Sequence, residues 1–295
     1  MAVDIRESHM IPIKRGHAVS RGWTNATDRR PMGVTWHWTA TWDLQGCRNT
    51  IGGSNPARKG IASAHYGIGR SFSEGVDRYV SLENRSWHAG KNQLLRWDGH
   101  PSNNNTKGAR ATIGIETVNI GYARAGVQAE ADWTVAYSPN GKQEMLVQPW
   151  TDEQIEMMVQ VGREISDRWP LITWLDHHGH HDACPGYKVD VAAFPFAQIL
   201  RRIFGDPEIP DIWSPFWTAK QRQRALVLLG YDLGDFGPKE DGVDGDWGRA
   251  SDGALTEFQQ QNDLIPNGYW TTYVSRAVWE ALNANGIDPM LTSKE

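Results

Sequence analysis

Residues 33–40 read GVTWHWTA. Strand side chains alternate between two faces, so Val34, Trp36 and Trp38 fall on one side and Thr35, His37 and Thr39 on the other. His37 then points away from the apolar side. AHYGIGR (64–70), RYVSL (78–82) and ATIGIETV (111–118) read as strands in the same way. In the last of them Ile113 and Ile115 face one way, Gly114 and Glu116 the other. Residues 151–170, TDEQIEMMVQVGREISDRWP, have helical spacing. Thr151 and Gln154 match a capping box, Ile155, Met158, Val159, Gly162 and Ile165 form one stripe, and Pro170 ends it. LITWL (171–175) reads as a further strand, leading into a histidine-rich loop. Strands and helices intermixed this way predict an α/β fold, a mixed central β-sheet with flanking helices.

Bulk properties narrow the field. The chain has 295 residues, 30 basic and 35 acidic, for a net charge of −5. That length allows one large domain or two smaller ones. Without a basic signature no nucleic-acid partner is expected. Cys47 and Cys184 cannot build a disulfide framework and read as free thiols of a reducing compartment. The N-terminus lacks the apolar core of a secretory signal, and no apolar run reaches the roughly 18 residues of a membrane span. A monomer made in the cytoplasm, with no membrane insertion, is the expectation.

FGDPEIPDIWSP (204–215) is rich in proline and acid and reads as a linker. It divides the chain into residues 1–205, a linker at 206–216 and a small all-α domain at 217–285. From residue 215 onward acidic residues outnumber basic ones by 12 to 7. WTAKQRQRALVLLGY (217–231) begins a helix at the cap Thr218 and ends it at Gly230. SDGALTEFQQQNDL (251–264), with Leu255 and Phe258 in a core, and TTYVSRAVWEAL (271–282) supply two more helices. The loop with Asp241, Asp244 and Asp246 lacks the twelve-residue calcium pattern and reads as a solvated turn.

Residues 177–190, HHGHHDACPGYKVD, concentrate four histidines, a cysteine and two aspartates. Zinc takes imidazole nitrogen, thiolate or carboxylate, and a catalytic zinc keeps three protein ligands. This segment offers several such ligands, and His37 offers a distant one. Residue types alone leave the choice open, and a set of solvated histidines in a polar loop is the plain alternative. Lys188 has the charge to stabilise an oxyanion. Glu116, opposite its apolar neighbours, has the chemistry of a general base; a structural carboxylate on an exposed strand face is the alternative.

Five motifs in order carry a resemblance: VTWHWTAT around His37, SAHYGIGR (63–70), SWHAG (86–90), IGIETVN (113–119) and HHDACPGYKVD (180–190). Together they resemble the zinc-dependent N-acetylmuramoyl-L-alanine amidases, whose fold is shared by phage lysozyme-type amidases, cytosolic cell-wall recycling amidases and peptidoglycan recognition proteins. The resemblance spans about residues 30 to 200. It implies a Zn2+ cofactor, bacterial peptidoglycan as the partner, and cleavage of the amide between N-acetylmuramic acid and L-alanine. In the recycling-type branch a zinc histidine stands eight residues before a lysine, and an aspartate follows that lysine by two. Lys188 and Asp190 fit that register, which makes His37, His180 and Asp190 the metal ligands. His177, His178 and His181 are then neighbours, one of them a candidate to support a ligand.

Other branches use a cysteine before Pro-Gly, which is Cys184 here, but their histidine would then fall on Asp176. Some branches use a tyrosine as base where this chain has Ala64; the recycling branch uses the glutamate that is Glu116. By the same resemblance His65, Trp87 and His88 are candidate substrate-groove residues, with a core role for Trp87 as the alternative. Residues 217–282 resemble a peptidoglycan-binding module. A wall-binding module without an export signal implies a phage endolysin that reaches the wall through a holin pore. A cytosolic recycling amidase and a non-catalytic peptidoglycan receptor are the alternatives. The roles of segments 91–110 and 121–150 are not readable.

Overall fold

The computed structural model describes residues 3–8, 17–19, 31–51, 62–89, 112–138 and 143–293. Segment 91–110 therefore lies outside the described residues. At the centre is a six-stranded sheet in the order β1 (Ile5–Arg6), β5 (Val76–Arg78), β4 (Tyr66–Ile68), β7 (Thr112–Thr117), β3 (Gly33–Trp38), β10 (His177–Gly179). Only β4 and β5 pair antiparallel; the other neighbours are parallel. Two small antiparallel pairs lie outside it, β2 (His17–Val19) with β6 (Asn84–Ser86), and β8 (Thr134–Tyr137) with β9 (Glu144–Val147). The expected mixed α/β architecture is present.

Both faces of the central strands are covered, as parallel sheets require. Every residue of β3 and β7 is buried. The apolar face, with Val34, Trp36, Ile113 and Ile115, packs under α2 (Asp152–Arg168) and α4 (Phe196–Phe204). These helices touch at Gly162, where an added Cβ would stand 2.1 Å from Ile203 Cδ1. Thr151 caps α2 by accepting from the Gln154 backbone N–H at 3.1 Å. The Gln154 side chain does not close the expected box; its Nε2 donates to the Val118 carbonyl instead. The opposite face is polar but equally buried. Residues 62–89 and α1 (Leu44–Thr50) lie over it, with Tyr79 set on Gly67 and His88 on Gly114. A Cβ at Gly67 would stand 2.3 Å from the Tyr79 hydroxyl oxygen, and one at Gly114 2.3 Å from the His88 ring.

Two strand expectations move. The strand expected at 78–82 is residues 76–78, because the Tyr79 and Val80 N–H groups both turn onto the His65 carbonyl and end the ladder. The strand expected at 171–175 is also displaced. Leu171 is 76% exposed, and Trp174–Asp176 form a 3-10 turn in which the Asp176 carboxylate accepts from the Thr173 N–H and hydroxyl. The strand is His177–Gly179 itself, an edge strand paired with β3.

The three C-terminal helices expected from the sequence are present. They are α5 (Ala219–Leu228) capped by Thr218, α6 (Arg249–Gln261), and α7 (Thr272–Ala284) capped by Thr271. Gly230 follows α5 with φ +91°, a left-handed turn that glycine adopts without strain. Their shared core contains Leu226, Leu255, Phe258 and Val278. The packed unit runs on to Ser293, since Thr292 is buried and donates to the Pro215 carbonyl.

The segment read as a linker is packed rather than open. Ile209, Ile212 and Trp213 are buried in the core of the sheet domain. Their apolar side chains, hidden among prolines and acids, anchor the connection. The hairpin β8–β9, within the unassigned segment 121–150, bridges the two units. The Tyr137 N–H donates to the Trp217 carbonyl at 2.8 Å, and Arg222 Nη1 donates to the Ser138 carbonyl at 3.1 Å. No helix among the described residues is long and apolar enough to cross a membrane.

Candidate metal centre

His37 and Glu116 are direct partners in the parallel register of β3 and β7. Register alone thus sets a histidine and a carboxylate side by side on the polar face, near the carboxyl ends of their strands. Open α/β sheets build their sites at that end. The edge strand β10 then delivers His180 at the start of α3 (His180–Ala183), and the returning loop delivers Asp190.

His37, His180 and Asp190 converge and are all buried. His37 Nδ1 and His180 Nδ1 are 2.9 Å apart. Asp190 Oδ2 lies 3.0 Å from His180 Nδ1 and 3.3 Å from His37 Nδ1. Ligands held about 2.0–2.1 Å from a tetrahedral zinc stand roughly 3.3 Å apart, so this triangle fits one ion. The donor set is also chemically apt, two imidazoles and a carboxylate with their lone pairs on one point. Cys184 is buried but does not join the group; its thiol lies 3.9 Å from the Ala89 carbonyl.

Hydrogen bonds fix the His37 tautomer. The Thr112 carbonyl can only accept, so the contact at 3.2 Å places a proton on His88 Nε2. Burial, then the neighbouring His37, hold the His88 pKa well below the usual histidine range. A neutral ring carries one proton, so His88 Nδ1 accepts from His37 Nε2–H at 3.0 Å. His37 is neutral as well: burial, then the His180 charge, lower it to about 4 against the opposing pull of Asp190. Its Nδ1 therefore presents a lone pair to the centre, as a metal ligand must. For Asp190, burial pushes the pKa up, but the charge and hydrogen bond of His180, with the neighbouring His37 adding to them, outweigh it. The carboxyl is held well below the usual range.

Glu116 is buried, and its Oε2 has no hydrogen-bond partner among the described residues. Burial, then the charge of Asp190, raise its pKa well above the usual carboxylate value, with Lys188 acting the other way. A carboxyl poised toward protonation, with a reserved lone pair, can take a proton and return it. Lys188 is half-buried and is held in a turn by its backbone N–H to the Cys184 carbonyl. Its ammonium lies 5.7 Å from the Tyr187 ring centroid, and its charge acts on both His37 and Glu116.

The expected groove residues divide. His65 is fully buried, its Nδ1 accepting from the Gly114 N–H and its Nε2 facing the Asn84 carbonyl. Neither it nor His88 presents a nitrogen to a groove; one braces the sheet and the other braces His37. Trp87 is half-buried, its backbone N–H donating to Ser63 Oγ. The other three histidines are not solvated, contrary to the plain alternative. His178 Nε2 lies 2.9 Å from Thr35 Oγ1, and His177 Nδ1 accepts from Trp36 Nε1 at 3.2 Å. His181 joins Asp182 to the Asp190 carbonyl. The residue missed from sequence is Asp182. Its signal was present, an acid three residues after Gly179 at the third position of a helix, where it accepts from the Gly179 N–H at 2.8 Å.

A family model described as N-acetylmuramoyl-L-alanine amidase matches residues 27–187, more than half of the chain. The chain belongs to that family. No curated protein matches it. Among solved structures it is similar to the amidase AmiD from E. coli, in complex with anhydro-N-acetylmuramic acid-L-Ala-D-gamma-Glu-L-Lys. That match has 21% identity, covers 90% of this chain and 93% of the other, and has a TM-score of 0.49. Another is AmpDH3 from Pseudomonas aeruginosa with an anhydromuramic pentapeptide, at 20% identity, 90% and 95% coverage, and a TM-score of 0.47. A mutant endolysin from Bacillus subtilis matches at 15% identity, 68% and 99% coverage, and a TM-score of 0.38.

Proposed function

We propose that this protein is a zinc-dependent amidase that cuts the bond between the lactyl group of N-acetylmuramic acid and L-alanine in peptidoglycan. The observation that carries the reading is the convergence of His37, His180 and Asp190 beside Glu116, whose Oε2 has no hydrogen-bond partner among the described residues. Those three residues would hold the zinc, which supplies Lewis-acid activation of water and of the scissile carbonyl. Glu116 takes a proton from the attacking water and passes it to the leaving amine of L-alanine. The Lys188 ammonium stabilises negative charge developing on the carbonyl oxygen. His88 keeps the His37 Nδ1 lone pair directed at the centre.

The C-terminal unit, by the resemblance of residues 217–282, is the wall-binding part. This favours polymeric wall over soluble fragments as the substrate, the action of an endolysin. Chelator treatment should abolish muropeptide release, and zinc should restore it. Mass spectrometry of the products should find a free lactyl carboxyl and a new L-alanine amino terminus. New reducing sugar ends, or cuts within the stem peptide, would overturn the assignment. Faster turnover of soluble anhydromuropeptides than of sacculi would favour recycling instead.

A further inference from the structure

We infer that the C-terminal helical unit completes the metal centre: Thr272, the first residue of α7, positions the His180 and Asp190 segments through the buried carboxylate of Asp182. The inference rests on those residues being the metal ligands.

Asp182 is 1% exposed and lies two residues beyond His180. Four donors meet its two oxygens, and two of them come from Thr272, ninety positions away. The Thr272 backbone N–H donates to Oδ1 at 2.6 Å and its hydroxyl to Oδ2 at 3.0 Å. Trp213 Nε1 donates to the same hydroxyl oxygen at 3.2 Å, which turns the hydroxyl proton toward Asp182. The N–H belongs to the first turn of a thirteen-residue helix, where backbone donors lack partners within the helix and negative charge is favoured.

The other two donors lead back to the metal centre. Oδ2 takes the N–H of Gly179, the residue directly before His180, at 2.8 Å. Oδ1 meets His181 Nε2 at 3.2 Å. His181 in turn faces the Asp190 carbonyl twice, by its backbone N–H at 2.7 Å and by Nδ1 at 3.2 Å. One carboxylate thus ties together the backbones that carry two of the three ligands. Tyr273, next to Thr272, packs on Ala183 and Cys184 of the same loop. Partners that orient ligands in this way commonly govern metal affinity as well as stability.

Thr272→Pro in the full-length protein is a selective test. Residue 272 is the first helical position, where proline is well accommodated and only the N–H and hydroxyl are lost. Thr271 before it is already extended, at φ −109° and ψ 171°, as a residue preceding proline must be. Zinc affinity by chelator competition should fall about 10–100-fold, the usual effect of losing such support. The visible spectrum of the Co2+-substituted protein should change with it. Thr272→Val, which keeps the N–H, should fall between Thr272→Pro and wild type, and Thr272→Ser should match wild type. Wild-type zinc affinity and cobalt spectrum in Thr272→Pro would overturn the inference even if the melting temperature dropped, since a merely structural contact predicts that result. If Thr272→Pro does not fold, Thr272→Val decides by the same two readouts. Wild-type protein that holds no zinc, or holds it equally well as His180→Ala, overturns the metal reading and this inference together. Zinc lost in His180→Ala but untouched by the Thr272 variants overturns this inference alone.

Discussion

The two halves of the proposed metal centre are built by different means. His37 and Glu116 stand on adjacent parallel strands, and the backbone ladder of β3 and β7 fixes their separation. His180 and Asp190 stand on a loop behind an edge strand and are placed by side chains: Asp182, His181 and, from the helical unit, Thr272. A sheet register survives the loss of one side chain, because many backbone bonds maintain it. A loop held through a single buried carboxylate does not, because a buried charge that loses its donors is expensive. The strand register that spaces His37 and Glu116 should therefore survive change around it, and the loop half should depend on a remote helix.

Chemistry on the sheet half gives the largest expected effect. Glu116→Gln is close to isosteric and leaves the ladder intact. Turnover should drop by about two to four orders of magnitude, the usual cost of a lost acid–base group, while zinc content stays at the wild-type level. Near-normal kcat in zinc-loaded Glu116→Gln protein would remove Glu116 from the mechanism.

His88→Ala sharpens the comparison, because it removes the side chain that faces His37 Nε2 from behind. Without the acceptor at Nδ1, the His37 tautomer is no longer dictated from behind. Zinc affinity should fall about 10–100-fold with folding intact. An unchanged zinc dissociation constant would mean that strand register alone orients His37, and the contrast between the halves would be even wider.

Gly162→Ala should have the smallest effect on the site. The new methyl meets Ile203 Cδ1, the mobile end of a side chain on the apolar face. Overpacking of this kind costs about 1–3 kcal/mol, and the flexible neighbour places it at the low end. Thermal unfolding should register the loss, with zinc affinity and kcat unchanged. A parallel loss of zinc affinity would show that the centre is sensitive to general loosening, and the distinction drawn above would fail.

The same division decides what was legible in the sequence. The alternation of Val34, Trp36 and Trp38 placed His37 on the correct face, and Gly114 and Glu116 followed by the same rule. Local signals also sufficed for α2, with its Thr151 cap and Pro170 stop, and for α5 with its cap at Thr218. The strand β10 was not legible. Leu171 to Leu175 has the stronger strand composition, yet His177 and His178 form the strand because Trp36 and Thr35 of β3 offer them partners. That is tertiary context overriding propensity. The packed connection at 206–216 was hidden for a similar reason. Prolines and acids dominate its composition, while apolar side chains among them, Ile209, Ile212, Trp213 and Phe216, determine its burial. The contact between Asp182 and Thr272 spans ninety positions, and no local pattern announces it.

The proposed centre holds one zinc ion by two histidines and an aspartate, and by no cysteine. X-ray absorption at the zinc edge of the purified full-length protein tests it most directly. The arrangement of His37, His180 and Asp190 predicts a first shell of nitrogen and oxygen only, at about 2.0–2.2 Å, with the outer scattering of two imidazoles. A sulfur contribution at about 2.3 Å would place Cys184 on the metal and contradict the assignment of Asp190.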